Sequence, residues 1–187
     1  MATTEQLLTD LVKNTDPFAL AKKASEYESA MQALATAALV IRPTTLSAIT
    51  FWNGESPGGK SLVIDRLFTH NLVSTAVKTY FGIWYCMHKD MARPTADITA
   101  LRGTGDGVVG SNVVVVDVGA TVIDDGWFPA GREGSISETG VTPQGIAEWE
   151  VKGRLIVPPG AGMSLQVVAS ITGDTFTTGA SWYRTQL

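Results

Sequence analysis

The sequence contains a single cysteine, Cys86, among 187 residues, so no disulfide can form within the chain. Only 17% of the residues are charged, below the roughly 25% that is usual for soluble domains. No apolar run reaches the roughly 18 residues of a membrane span, and residues 1–10 lack the pattern of a secretory signal. These absences predict a protein of a cytoplasm, or of a particle assembled in one, without membrane contact.

Positive charge is also scarce. The chain has 14 lysine and arginine residues against 18 aspartate and glutamate residues, for a net charge of −4 at pH 7. Nucleic-acid binding depends on a basic face that neutralises phosphates, so we expect no nucleic-acid partner. The 44% hydrophobic content excludes a disordered chain and is sufficient for one domain with a packed core.

Glycine is absent from the first 53 residues, although the whole chain has 19. Glycine disfavours helix interiors and suits turns. The division therefore predicts a helical N-terminal arm over residues 1–43 and a β-domain over residues 44–187. Beyond Pro43, runs of valine, isoleucine, threonine and aromatic residues alternate with turns rich in glycine, proline and aspartate. This pattern predicts a mainly β domain, an antiparallel β-sandwich of the jelly-roll kind.

Seven strands are predicted in this domain: Thr45–Trp52, Ser61–Thr69, Thr79–His88, Asn112–Val118, Ile146–Val157, Ser164–Ile171 and Thr175–Tyr183.

The predicted arm carries apolar residues at alternating spacings of four and three: Leu20, Ala24, Tyr27, Met31, Leu34 and Ala38. This spacing predicts a helix that packs against a sister chain, and hence a homo-oligomer, for which a trimer is favoured. Two alternatives remain open. The helix packs on its own domain, or it ends near Ala33 and a strand follows.

Trp127 and Phe128 lie in a predicted loop and are the best candidates for an exposed aromatic contact. The chain has five tryptophans, which in an alternative interpretation line the sugar-binding surface of a carbohydrate-binding module. The other four lie within predicted strands, where burial is the usual outcome.

The segment Gly54–Ser61 matches the phosphate-binding pattern G-x-x-x-x-G-K-[ST]. In that pattern Lys60 reaches the terminal phosphates, Ser61 binds magnesium, and Asp117 after an apolar run would be a second magnesium ligand. However, a phosphate-binding loop must open a helix, and residues 62–68 favour a strand. The sequence therefore predicts that residues 53–68 form a β-hairpin that binds no nucleotide.

Three further patterns are candidate sites of chemistry. Cys86 and His88 share one strand face, His70 and His88 are the only two histidines, and Glu148 and Glu150 share another strand face. The simpler interpretations are a buried thiol, two strand-end histidines without metal-ligand spacing, and two solvated carboxylates. We therefore predict no catalytic residue, no metal and no cofactor.

Two segments resemble structural proteins of tailed-phage virions, a group that includes capsid decoration and head-fibre proteins. The first is residues 48–64, a strand followed by a glycine-rich turn that ends in Gly-Lys. The second is residues 153–160 with the final strand around Ser181-Trp182-Tyr183. The resemblance implies a non-enzymatic capsid decoration protein that binds phage capsid proteins and stabilises the head lattice within the virion. The long N-terminal segment without glycine departs from that group.

Other virion components, namely a major capsid, head-fibre or tail protein, are alternatives within the same resemblance. An enzyme with a phosphate-binding loop and a carbohydrate-binding module are alternatives outside it. If residues 1–43 form a separate arm, their deletion is expected to leave the β-domain folded and to weaken assembly.

Overall fold

The computed structural model describes residues 26–187 except residue 77, residues 103–108, residue 138 and residues 141–144. Over these residues the protein is mainly β and contains no α-helix, so no described helix is suited to crossing a membrane. The strands are β1 (Tyr27–Met31), β2 (Thr36–Ala37), β3 (Ile49–Asn53), β4 (Ser61–Val73), β5 (Thr79–His88), β6 (Leu101–Arg102), β7 (Val114–Val118), β8 (Trp127–Ile136), β9 (Ile146–Val157), β10 (Gly162–Ala169) and β11 (Thr175–Thr185).

The strands form two antiparallel sheets. Sheet A has the order β6-β1-β11-β4-β9, and β2 pairs with the far end of β11. Sheet B has the order β7-β3-β10-β5-β8. The central strands of both sheets, β11 and β10, are therefore the last two strands of the chain.

One hydrophobic core lies between the two sheets. Phe51 of β3 meets Trp182 of β11 with ring centroids 5.4 Å apart, and Phe81 of β5 meets Phe176 of β11 at 4.7 Å. All four side chains are buried. These aromatic pairs join opposite sheets. The apolar side chains that alternate along each strand therefore pack against the other sheet.

Alternation along β4 shows how the sequence directs side chains into this core. Leu62 and Ile64 are buried, and the register then shifts between Ile64 and Arg66. Beyond the shift Leu67 and Thr69 are buried, so the inward positions move by one residue. The bulge keeps apolar residues buried on both sides of the point where the alternation of inward and outward side chains is broken.

The helical arm predicted over residues 1–43 is wrong over the described residues. Tyr27–Met31 is a strand that pairs with β11 and β6. A spacing of four residues places Tyr27 and Met31 on one face of a strand as well as on one face of a helix. Pairing also buries Glu28 and Ala30 against β11, and such tertiary packing outweighs helix propensity. The residues before 26 lie outside the described residues.

The hairpin predicted over residues 53–68 is also wrong, although its second half is a strand as predicted. β3 belongs to sheet B and β4 to sheet A, so the Gly-Lys turn between them crosses from one sheet to the other. A hairpin and a crossing turn bury the same alternating residues, because both strands face the same core. The local pattern therefore does not distinguish them.

The predicted strands agree with the structure at most positions. Thr79–His88 and Ile146–Val157 have the predicted bounds, and the other five are present with shifted ends. The strand Trp127–Ile136 was missed, because Pro129, Gly131 and Gly134 interrupt it. It pairs with β5 through a register shift, which accommodates these residues.

Deletion of residues 1–43 is now expected to destabilise the β-domain. Gln32 donates to Ala48 O at 2.8 Å and accepts a hydrogen bond from Thr178 N at 3.0 Å, and both contacts are buried. Losing β1 and Gln32 leaves buried backbone groups unsatisfied, which costs about 3 kcal/mol or more. Thermal unfolding by circular dichroism should show a much lower midpoint than for a variant that lacks only residues 1–25. Equal midpoints for the two deletions would contradict this assignment.

Candidate functional site

A row of polar side chains crosses the outer face of sheet B, the face turned away from the core. Asp125 Oδ2 lies 2.9 Å from His88 Nδ1, and His88 Nε2 lies 2.9 Å from Ser164 Oγ. Ser164 Oγ continues to Thr50 Oγ1 at 2.8 Å, and Thr50 Oγ1 to Ser47 Oγ at 2.9 Å. The connectivity of the first three residues is that of a serine–histidine–aspartate triad.

The burial of these three residues is the reverse of what catalysis requires. Ser164, which would be the nucleophile, is fully buried, and its hydroxyl is also bonded to Thr50. Asp125, which should be the buried orienting group, has 38% of its side chain exposed. A substrate therefore meets the carboxylate first and cannot reach the serine oxygen. The row is therefore a hydrogen-bonded network across the sheet in which the serine is closed off from solvent.

Cys86 and His88 do lie on one strand face, as predicted. Cys86 Sγ is 4.0 Å from His88 Nδ1, but that nitrogen already faces Asp125 at 2.9 Å. Burial raises the pKa of the Cys86 thiol. A buried thiol with a raised pKa is a poor nucleophile, so this pair lacks the thiolate that cysteine catalysis uses.

The Gly-Lys turn directs its backbone amides inward. Gly54 N donates to Val113 O at 2.8 Å, and Gly59 N donates to Ser56 O at 2.8 Å. Glu55 N donates to the side chain of Asn53 at 3.2 Å. A phosphate-binding loop needs such amides free and converging on the anion.

The charged groups around this turn are also paired with protein groups. Lys60 Nζ forms a salt bridge to Glu26 Oε1, and Glu55 Oε1 lies 3.3 Å from Arg184 Nη1. The Glu55 carboxylate lies against Gly59, where it would repel a phosphate. Together with a strand where a helix would be required, this arrangement gives no support to a nucleotide site.

Glu28 was not identified from the sequence as a site residue. Its carboxylate is fully buried between β1, β11 and the loop before β7. Its Oε2 accepts from Trp182 Nε1 at 3.1 Å. Its Oε1 accepts from Ser111 N at 2.6 Å and Arg184 Nε at 3.1 Å. In the sequence Glu28 is one of the polar residues between the apolar positions of the predicted seam, and nothing distinguishes it from the others. Only the pairing of β1 with β11 shows its role.

Glu148 and Glu150 lie on the outer face of sheet A and face cations. Glu148 Oε1 is 2.9 Å from Arg66 Nη1, and Glu150 Oε2 is 2.9 Å from Lys152 Nζ. The hydrogen bond from Lys152 lowers the pKa of Glu150. A glycosidase acid needs a raised pKa, so Glu150 lacks the property that acid catalysis requires.

The two histidines belong to different sheets, His70 to sheet A and His88 to sheet B. Within the part of the chain that the structure describes, no three histidine, cysteine, aspartate or glutamate side chains are grouped so as to hold a metal ion.

The two predicted aromatic contacts are placed differently. Trp127 is buried, and its Nε1 donates to Thr44 O at 2.7 Å, so the expectation that it is exposed is wrong. The reason is that residues 127–136 form a strand, and a segment before β3 covers this part of sheet B. Phe128 is 58% exposed and stacks beside Tyr85 at 5.9 Å.

The residues of the predicted seam are dispersed. Tyr27 and Met31 share the outer face of sheet A, where Tyr27 stacks with Tyr183 at 4.6 Å. Leu34 is exposed between β1 and β2, and Ala38 is buried in the core. Leu20 and Ala24 lie outside the described residues.

The outer faces of the two sheets differ in how they are covered. The chain's own loops cover part of sheet B, as shown by hydrogen bonds from Trp52 Nε1 to Met91 O and from Gln166 Nε2 to Leu46 O. The outer face of sheet A carries partly or fully exposed apolar side chains from four strands. These are Tyr27, Met31, Phe68, Leu101, Ile146 and Ile156. We define this set as the sheet A face; it is the candidate contact surface.

No protein-family model matches the chain, and a comparison with curated proteins found no significant match.

Two carboxyl groups, those of Asp97 and Asp117, connect β7 with the loop before it through hydrogen bonds. Asp117 Oδ2 accepts from Thr95 N at 3.0 Å, and Asp97 Oδ2 accepts from Val118 N at 3.1 Å. Burial raises the pKa of Asp117, and the neighbouring Asp97 carboxyl raises it further. The folded state therefore holds a proton on Asp117 more strongly than the unfolded state does.

The raised pKa predicts that stability falls as pH rises. The loss begins near the ordinary aspartate value of 3.8 and is complete above the folded-state pKa. Asp117→Asn mimics the protonated form, so it should raise the thermal midpoint at pH 7 and lose this advantage below about pH 3.8. Circular dichroism melts from pH 3 to 8 measure the difference. A variant less stable than the wild type at pH 7 would contradict the prediction.

Proposed function

We propose that this protein is a non-enzymatic structural protein of a tailed-phage virion, and specifically a capsid decoration protein. In this proposal it binds the head lattice as an oligomer that forms through the sheet A face, and it stabilises the lattice. The resemblance of residues 48–64 and 153–160 to virion proteins supports the assignment. The burial of Ser164 and Cys86, and the ion pairs that engage Glu148 and Glu150, support a non-enzymatic role.

We also propose that the fold is a jelly-roll sandwich. Numbered in chain order, the eight main strands are β1, β3, β4, β5, β8, β9, β10 and β11. They occur in the orders 1-8-3-6 in sheet A and 2-7-4-5 in sheet B. This is the arrangement expected of two interlocked Greek keys, an architecture used by viral capsid and lectin domains. Architecture alone does not assign a function, so the proposal also needs a contact surface.

The observation that carries the proposal is the sheet A face. Met31 is 44% exposed, Leu101 47% and Ile146 58%, and they lie on β1, β6 and β9. Scattered exposed apolar residues are ordinary, but several on one sheet face suit a surface that is covered in an assembly. Burial of apolar area at roughly 25 cal/mol per Å² would supply the attraction.

Charged side chains on the same face would give such a contact its specificity. Arg66 and Glu148 pair within it, and Asp65 accepts from Tyr27 OH at 3.2 Å. Mixed apolar and paired polar groups are typical of interfaces between proteins that also exist separately. A free decoration protein that later joins a lattice has this requirement.

We further propose a homo-oligomer, with a trimer favoured. A closed ring covers an apolar face without leaving an open patch that would continue into a filament. A major capsid, head-fibre or tail role remains the alternative within the virion class. A major capsid subunit differs in that it assembles into closed shells by itself.

The oligomer is expected to depend on the sheet A face. Multi-angle light scattering should give a mass of three times the 19.8 kDa chain. Met31→Glu and Ile146→Glu should shift the mass toward that of a single chain, because a buried unpaired carboxylate costs several kcal/mol. Ile123→Glu, at a residue that is 66% exposed outside this face, is the matched control. A wild-type mass of one chain at micromolar concentration would refute the oligomer.

The virion assignment is tested by co-sedimentation with capsid shells assembled from the major capsid protein that its neighbouring genes encode. The wild type and Ile123→Glu should sediment with the shells, and the sheet A variants should remain in solution. Neighbouring genes that encode neither head nor tail components, or wild-type protein that stays in the supernatant, would contradict the assignment.

A further inference from the structure

A second surface feature lies on the outer face of sheet B, away from the sheet A face. A cleft of about 370 Å³ runs along β5 between β8 and β10. Its lining includes Tyr80 and Trp84 at the ends, Gly82 and Val168 between them, and Glu133 and Ser170 at the sides. This volume is within the range of about 300–1,000 Å³ that small-molecule sites occupy.

The cleft exists because Gly82 has no side chain between two aromatic residues. Tyr80, Gly82 and Trp84 alternate along β5 and so project on the same face. Gly82 opposes the register shift of β8, where Gly131 to Glu133 lie between its paired residues. The wider spacing leaves an open floor formed by Gly82 and its neighbour across the sheet, Val168.

Neither backbone conformation nor packing requires glycine at position 82. Its φ is not in the left-handed region. A Cβ there would meet only Glu133 Cγ, at 3.9 Å, which is an ordinary contact. By comparison, a Cβ at Gly134 would lie 2.3 Å from the ring of Phe81. The fold therefore accounts for Gly134 and leaves Gly82 to be explained by what enters the cleft.

The aromatic walls are held in different ways. Trp84 packs against the small cluster of Cys86, Val122 and Trp127, so its ring is fixed before any ligand arrives. Tyr80 is 58% exposed, and its backbone N donates to Ser170 Oγ at 3.1 Å. The Ser170 hydroxyl hydrogen is then available to a ligand, as is the Tyr80 phenol.

The chemistry of the lining favours a neutral ligand with many hydroxyl groups. Aromatic faces bind the C–H faces of a sugar ring, while Glu133 accepts from sugar hydroxyls and Ser170 donates to sugar oxygens. The Glu133 carboxylate lines the cleft and would repel an anionic ligand.

The spacing of the two aromatic residues excludes a single small cation held between them. Residues i and i+4 of a strand are roughly 13 Å apart, whereas a cation must lie within about 6 Å of each ring centroid. A ligand that contacts both rings must extend along β5 across Gly82. We propose that this cleft binds a short neutral glycan, with one sugar unit on Trp84 and another toward Tyr80. The proposal does not depend on the virion assignment.

The test is an array of neutral gluco-, manno-, galacto- and N-acetylglucosamine oligosaccharides. Titration of the bound sugars, followed by tryptophan fluorescence, gives the dissociation constants. Gly82→Leu fills the cleft and should weaken binding at least about tenfold, equivalent to ~1.4 kcal/mol. Trp84→Ala should have an effect of similar size. Tyr80→Phe keeps the ring and should stay within about threefold of the wild type, since one hydrogen bond is lost at an exposed site. Ile123→Ala, which lies outside the cleft, should leave binding unchanged.

Failure of the wild type to bind any sugar on the array would overturn the proposal, as would binding by Gly82→Leu equal to that of the wild type. Binding of tetramethylammonium without binding of any glycan would also overturn it. Trp84→Ala counts only if its melting temperature is close to that of the wild type, because Trp84 also packs against the cluster. A Cβ at position 82 makes only an ordinary contact with Glu133 Cγ, so Gly82→Leu is expected to keep the wild-type melting temperature, which is measured beside its binding.

Discussion

The hydrogen bonds of the buried Glu28 carboxylate hold together β1, β11 and the backbone before β7. The carboxylate joins the first described strand to Trp182 and Arg184 of the last strand and to the backbone before β7 at Ser111. Arg184 then reaches Glu55 in the turn between the two sheets. A buried charge is costly unless several donors satisfy it, and here three donors do so. The position of β1 and the path of the crossing turn are therefore fixed by the same group.

The same principle explains the arrangement of the residues that have catalytic potential. His88, Ser164 and Asp125 have the connectivity of a hydrolase triad, but the sheet buries the serine and exposes the acid. The hydrogen bonds that would activate a nucleophile instead satisfy polar groups beneath covering loops. The hydrogen-bond connectivity of three such residues is thus a poor indicator of activity. The exposure of the nucleophile and the burial of the acid are better indicators.

Sequence reasoning predicted the features that depend on local chemistry. The strand after the Gly-Lys turn and the limits of β5 and β9 follow from alternation and turn residues. The features it missed depend on pairing between distant segments. β1 can be identified as a strand only from its pairing with β11. The role of Glu28 follows from its hydrogen bond with Trp182, and the cleft at Gly82 follows from the register shift of β8. Trp127 was misplaced because its partner, Thr44 O, lies 83 residues earlier in the chain.

The order of the strands also determines when the chain can fold during synthesis. β10 separates β3 from β5, and β11 separates β1 from β4, so both sheets lack their middle strand until the C-terminal residues have been made. Ribosomes release the N-terminal strands first, and five of the nine described strand pairings cannot form until β10 and β11 are present. The two sheets consequently stay incomplete until β10 and β11 have been made, and the nascent chain then depends on rapid closure or on chaperones.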